Sequence, residues 1–252
     1  MYYQLFNDTK KYKFTDINHL DTLNKSNIEI LNCCYNQLTE LPQLPDNLIE
    51  LYCACNKLTE LPHLPDSLTH LNCYDNQLIE LPQLPNNLKV LFCDNNQLTQ
   101  LPQLPSNLKT LRCENNELTE LPQLPDNLEY LYCYYNELTQ LPQLPSNLKI
   151  LYCYDNQLTE LPQLPHNLKY LYCFNNKLTE LPQLPHNLKF LICNKNSRNL
   201  YKYKIHCKSL YCYKKYNKYK YMNTLNELLN YTIENYYYFR IIKHYDKTYK
   251  LN

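Results

Sequence analysis

The sequence predicts a solenoid of stacked 20-residue coils, dominated by one parallel β-sheet and irregular on the side opposite it. Three observations carry this. From Ile28 the chain repeats every 20 residues, through eight full units ending at Asn187 and a ninth that decays after Asn196. All 16 prolines fall in Leu-Pro-x-Leu-Pro segments, from Pro42 and Pro45 through Pro182 and Pro185. The composition is that of one duplicated unit, with 50 Leu among 252 residues against one Ala (Ala54), one Val (Val90), no Trp and no Gly.

One unit, Leu148 to Asn167, shows why each part folds as it does. Leu151-Tyr152-Cys153-Tyr154 alternates, so Leu151 and Cys153 face one side of a short strand and the two tyrosines face the other. Asn156 follows, at a position that is Asn in all nine units: Asn36, Asn56, Asn76, Asn96, Asn116, Asn136, Asn156, Asn176 and Asn196. A side-chain amide there is expected to bond backbone groups of its own and adjacent coils as a structural ladder, and to tolerate left-handed backbone angles in a chain without glycine. The Leu-Pro-x-Leu-Pro segment cannot be a helix interior or a central strand, because each Pro lacks a donor and fixes φ; it is expected to run extended and polyproline-like on the outer side. A lone coil cannot bury its leucines, whereas stacked coils share a continuous core.

Charge divides the chain into three parts. Residues 1–27, an N-terminal flank, carry 4 basic and 3 acidic groups; residues 28–196, the repeats, carry 9 and 18; residues 197–252, a Tyr/Lys-rich tail, carry 12 and 3. The result is an acidic body with a basic tail, an asymmetry that marks interaction surfaces. The start of the chain does not read as a secretory leader, and no apolar run approaches the ~20 residues of a membrane span, so no membrane association is expected. The 13 Cys are odd in number and nine recur at a fixed interval, which is not a disulfide framework. An intracellular, reducing compartment is expected, most simply the cytoplasm.

The pattern Leu-x-x-Leu-x-Cys-x-x-Asn-x-Leu-x-x-Leu-Pro-x-Leu-Pro-x-x over residues 28–196 resembles the leucine-rich repeat family. Its 20-residue length and double Leu-Pro are most similar to the short bacterial-effector class, with Cys where that class usually has Val or Ile. The resemblance implies an α/β solenoid wound as a right-handed horseshoe. Its parallel sheet would line a concave, protein-binding side, and its convex side would be polyproline-like or irregular. The wealth of Tyr, Asn, Lys and Ile is similar to that of leucine-rich repeat proteins of AT-rich giant DNA viruses, which would place the protein in host cytoplasm. Some effectors of this class carry a large C-terminal ubiquitin-ligase domain with a catalytic Cys; the 56 residues after Asn196 are expected to be too few for one.

Catalysis is not expected. Without Gly, phosphate-cradling loops, dinucleotide-binding turns and nucleophile elbows are excluded in standard form. The seven His are scattered, and no Cys-His-Asp or paired-carboxylate constellation rises above the repeat, so no catalytic residue, cofactor or metal is assigned. The ladder Cys33, Cys53, Cys73, Cys93, Cys113, Cys133, Cys153, Cys173 and Cys193 points among leucines, where thiols pack as small apolar groups rather than as metal ligands. Cys207 and Cys212, with His206, lack a second pair to close a tetrahedral site.

The concave strand positions carry the binding expectation. In the first five units fifteen such positions hold three aromatics, Tyr52, Tyr74 and Phe92. In the last four units twelve positions hold nine: Tyr130, Tyr132, Tyr134, Tyr152, Tyr154, Tyr170, Tyr172, Phe174 and Phe190. Tyrosine is a low-entropy, amphipathic contact residue, so these nine are expected to dock a protein partner, centred on Tyr132, Tyr152 and Tyr172. Two alternatives stay open: cross-strand rings that simply stabilise the sheet, and a tail that covers them. Two rows, Lys89, Lys109, Lys149, Lys169 and Lys189, and Glu40, Glu60, Glu80, Glu120, Glu160 and Glu180, are expected to be solvated.

In the tail, segment 201–221 interleaves Tyr with Lys and is expected to give at most weak, salt-sensitive contact with nucleic acid, the alternative function. From Thr224, with Glu227 at capping-box spacing, a helix is predicted over 224–242 that caps the solenoid. Asp16, Ile17, Leu20 and Leu23 read as the start of a shorter cap at the other end.

Overall fold

The computed structural model describes residues 1–5, 11–13, 16–17, 28–194 and 209–213, all within one compact unit, Met1–Tyr213. Among the described residues twelve strands form a single sheet: β1 Tyr2–Leu5, β2 Lys11–Lys13, β3 Ile28–Asn32, β4 Glu50–Tyr52, β5 His70–Asn72, β6 Val90–Phe92, β7 Thr110–Arg112, β8 Tyr130–Tyr132, β9 Ile150–Tyr152, β10 Tyr170–Tyr172, β11 Phe190–Asn194 and β12 Ser209–Tyr213. From β3 to β12 each strand pairs in parallel with its sequence neighbour. The described residues contain no α-helix, so the α/β expectation gives way to a β-solenoid over this part of the chain. The predicted helix 224–242 lies outside the described residues. Among those described, no helix is long and apolar enough to cross a membrane.

The 20-residue period sets the register. Tyr130, Leu131 and Tyr132 pair with Ile150, Leu151 and Tyr152, so each repeat position becomes a column running across the sheet. Columns of Leu (Leu51 to Leu191) and Cys (Cys53 to Cys193) have no exposure at all. They are joined by the leucines of the prolyl segments, such as Leu161 and Leu164, in one continuous core. Full burial contributes about 1.5–3 kcal/mol per leucine, which is why stacking rather than local propensity holds the coils. The prolyl segments have no regular secondary structure, and each ends in a β-turn, as where Leu148 N–H donates to the Pro145 carbonyl at 3.1 Å.

Left-handed backbone falls one residue before the repeated Asn, not on it, with one further case at Gln37 (φ 56°), just after Asn36. Cys55, Asp75, Asn95, Asn115, Tyr135, Asp155 and Asn175 have φ between 51° and 54°, and Tyr35 has 61°. The repeated Asn is instead held by its side-chain bonds, and the twist it would have tolerated is forced onto its neighbour. With no Gly in the chain, Asn or Asp fills five of those eight places and Cys or Tyr the other three.

Both ends of the sheet depart from the sequence reading. At the N-terminal end β1 pairs antiparallel with β3 and with β2, so strands cover the edge ahead of the short cap expected from Asp16. Ile17 does enter the core. Asp16 is exposed, and Leu20 and Leu23 lie outside the described residues. At the other end β12 continues the parallel sheet beyond residue 196, with Leu210 opposite Leu191 and Cys212 opposite Cys193. The repeat persists there with a 19-residue step, which self-comparison at period 20 misses.

Candidate functional site

The asparagine column is built from backbone needs. Strand and prolyl segment meet at a buried corner whose N–H and C=O groups have no sheet partner, and the Asn amide supplies one. Asn156 Nδ2 lies 3.0 Å from the Cys133 carbonyl of the preceding coil and 3.2 Å from that of Cys153, while its Oδ1 accepts from Leu138 N–H at 3.0 Å. The same set recurs from Asn56 to Asn176; the Asn36 side chain donates to carbonyls of its own coil while its N–H donates to Asn56 Oδ1, and Asn196 lies outside the described residues. A second asparagine column at the outer turn escaped the sequence reading. Asn87, Asn107, Asn127, Asn147, Asn167 and Asn187 each donate to a carbonyl one coil back, Asn147 to Asp126 at 3.0 Å. Ser67 stands at the same position and its hydroxyl donates to the Asp46 carbonyl one coil back at 2.8 Å. Its sequence signal was the recurrent Asn before the first Leu of each unit.

The thiol column lies inside the core. Several thiols donate to the carbonyl of the following strand, Cys93 to Arg112 at 3.3 Å and Cys73 to Phe92 at 3.4 Å, a polar contact that Val or Ile could not make. Burial pushes the pKa of Cys53, Cys113, Cys133 and Cys173 well up, which disfavours the thiolate that metal binding or redox chemistry needs. No cluster of three or more metal-ligating side chains occurs among the described residues. Cys207 and His206 lie outside them.

On the sheet face opposite the core, the aromatics align in rows. Tyr134, Tyr154 and Phe174 stack at 4.3 and 4.6 Å between centroids, within 10° of parallel. In the middle row Tyr152 stacks on Tyr172 at 4.2 Å and meets Tyr132 edge-on at 5.1 Å. Tyr170 and Phe190 stack at 5.3 Å in the first row, where Ile150 separates them from Tyr130. These rings are far less accessible than the alternation implied. Tyr152 is 2% exposed and Tyr172 has no exposure; Tyr130, Tyr154 and Phe174 are also buried. Tyr132, Tyr134, Tyr170 and Phe190 are half-buried. The glutamate row is exposed throughout, and so is the lysine row apart from half-buried Lys149, which pairs with Glu129 and lies 5.7 Å from the Tyr130 ring centre.

The aromatic rows run into a charged cluster. Arg112, in the middle row, holds its guanidinium 5.4 Å from the Phe92 ring centre and 5.7 Å from that of Tyr132, on the two flanking strands. Its Nε donates to Glu114 Oε1 at 2.8 Å, its Nη2 pairs with the same oxygen, and Nη2 also lies 3.5 Å from Asp94 Oδ2. The Tyr134 hydroxyl donates to Glu114 Oε1 at 3.2 Å. Asp94 and Glu114 are 4% and 2% exposed. Burial, then the neighbouring Glu114 charge, push the Asp94 carboxyl up to about 7 against the pull of Arg112. Burial works against the Arg112 charge, but Glu114 and Asp94 hold it firmly protonated. Asp94 and Glu114 share one repeat position, and Arg112 sits two residues before Glu114. Aligning the units by column would have shown the cluster.

Comparison with known proteins places this architecture. Residues 146–186 match the family model Leucine Rich repeats (2 copies). A structure titled Shigella effector LRR domain is 31% identical, with a TM-score of 0.57, and the match covers 64% of this chain and 73% of that one. The chain belongs to the leucine-rich repeat family. YopM from Yersinia enterocolitica WA-314 is 43% identical with a TM-score of 0.67, the match covering 67% of this chain and 38% of that chain. The functional domain of InlJ from Listeria monocytogenes, whose title notes a cysteine ladder, is 29% identical with a TM-score of 0.57, over 67% of this chain and 40% of that chain. The chain therefore spans well under two thirds of the length of YopM and of InlJ. Comparison with curated proteins finds no match. Leucine-rich repeat solenoids are typically non-catalytic protein-interaction scaffolds.

Proposed function

We propose that the protein is a non-catalytic scaffold that binds a protein partner through the aromatic face of its sheet. One observation carries the reading: ordered rows of rings over β8 to β11 on the face opposite the leucine core, with Tyr132, Tyr134, Tyr170 and Phe190 half-buried at its surface. Rigid, amphipathic rings held in register meet a partner with little entropy left to lose. The burial of Tyr152 and Tyr172 supports a supporting role for them, with the contact carried by Tyr132, Tyr134, Tyr170 and Phe190. An intracellular setting, the cytoplasm of an infected cell if the compositional likeness to viral repeat proteins holds, fits thiols that burial keeps protonated. The nucleic-acid alternative rests on the composition of 201–221, of which only the backbone of β12 is described.

The test is quantitative affinity capture with the full chain, Tyr132→Ala, and a control on the prolyl side, Gln143→Ala. Proteins captured by the native chain and the control but lost with Tyr132→Ala support the reading. Equal capture by all three contradicts it.

A further inference from the structure

We infer that the protein partner meets the C-terminal half of this face with an acidic segment, its carboxylates seated along the column of Lys149, Lys169 and Lys189. This deepens the binding reading above and rests on it. Backbone bonds fix the column: Lys169 N–H donates to the Lys149 carbonyl and Lys189 N–H to that of Lys169, both at 2.8 Å. Three ammonium-bearing side chains therefore leave the backbone at strand spacing, about 4.8 Å apart. The neighbouring acid of the column, Glu129, is already paired with Lys149. Lys169 forms no ion pair among the described residues, and both it and Lys189 are exposed. The column borders the rings. Lys149 Nζ lies 5.7 Å from the Tyr130 ring centre, and Lys169 and Lys189 directly precede Tyr170 and Phe190.

The rings favour an anion over a stacking ligand. Tyr170 lies between Ile150 and Phe190 in its column, its ring within 7° of parallel to that of Phe190. Tyr134, Tyr154 and Phe174 likewise stack on one another. Faces occupied in this way leave ring edges toward a partner, and the edge is the electropositive part of an aromatic ring. A nucleobase needs a ring face to stack on, which these rows spend on each other. Carboxylates are also missing here: none occupies the twelve outward strand positions of the last four units, against Glu50, Asp94 and Glu114 among the fifteen before them. The repeats as a whole carry 18 acidic residues against 9 basic, so their other surfaces repel an acidic segment and steer it to this edge.

The experiment measures binding of a labelled hexa-glutamate peptide to the full chain at about 50 mM salt, where surface charges are weakly screened. Hexa-glutamine is the uncharged control and single-stranded hexathymidylate the nucleic-acid probe. Two double variants remove equal charge from the one column: Lys169→Gln with Lys189→Gln beside the rings, and Lys89→Gln with Lys109→Gln away from them. All four lysines are exposed, so melting should be unchanged. The first pair is expected to weaken hexa-glutamate binding about fivefold or more, and the second less than about twofold. Since both pairs remove two charges and keep the basic tail, the difference reports position. On the native chain the peptide should also slow acetylation of Lys169 and Lys189 more than that of Lys89 and Lys109. Equal weakening by the two pairs, equal protection of the four lysines, or no binding by the native chain overturns the inference. So does hexathymidylate binding that falls as far as hexa-glutamate binding with the first pair, which would assign the column to nucleic acid. A capture loss with Tyr132→Ala but none with the first pair would leave the docking face standing and overturn the acidic partner alone.

Discussion

Asn156 donates to the carbonyl of Cys133, 23 residues earlier in sequence and one coil away in space, at 3.0 Å. Through that bond, and the one its Oδ1 accepts from Leu138 N–H, a single buried amide ties two coils together. Replacing Asn156 by Ala strands a buried N–H and removes a donor from three carbonyls, those of Cys133, Cys153 and Tyr154. We expect a loss of about 3 kcal/mol in urea unfolding. Asn147→Ala, in the exposed outer column, should cost about 1 kcal/mol or less. Equal losses at the two positions would contradict the distinct roles of the columns.

Left-handed backbone at Cys55 (φ 54°) lacks the residue type that best tolerates it. Cys55→Asn should raise stability by about 1 kcal/mol, and Asn95→Ala should lower it by a similar amount. Thermal melting of the two variants checks the sign. Destabilisation by Cys55→Asn would show that the thiol's side-chain contacts outweigh the backbone strain.

Leu151 faces the core and Tyr152 faces away from it, yet both are buried. Leu151→Ala should cost about 2–5 kcal/mol, and Tyr152→Ala about 2–4 kcal/mol, because its ring is stacked on Tyr172 and edge-on to Tyr132. A loss below about 1 kcal/mol for Tyr152→Ala, the scale of an exposed cross-strand pair, would contradict its burial.

The ionisation of Asp94 makes stability fall with rising pH. Its folded pKa of about 7 lies above the ordinary 3.8, so the folded state holds the extra proton between those values. The stabilising contribution is complete below the ordinary pKa and lost as pH passes through about 7. Asp94→Asn should flatten the drop in urea midpoint between about pH 5 and about pH 8. A slope unchanged by the variant would assign the effect to other groups.

The architecture was legible because its causes are periodic. Leu151 and Cys153 differ from Tyr152 by strand alternation alone, and the repeated Asn stood out in every unit. What stayed hidden depends on relations between coils or on local backbone. The left-handed site at Tyr135 precedes the conspicuous Asn136 and has no fixed residue type. The hairpin of β1 and β2 lacks the repeat, and β12 breaks its period by one residue. Burial of Tyr172 and the joining of Asp94, Arg112 and Glu114 arise from cross-strand columns, which reading one unit at a time does not reveal.

Site-resolved thiol labelling of the native full chain tests the register on which all of this rests. The account predicts that half-buried Cys55 reacts first among the described cysteines, while Cys113 and Cys153, fully buried in the ladder, stay unreactive until the chain is unfolded. Native labelling of Cys113 or Cys153 as fast as Cys55 would put the thiols on the wrong face and contradict the stacked-coil register.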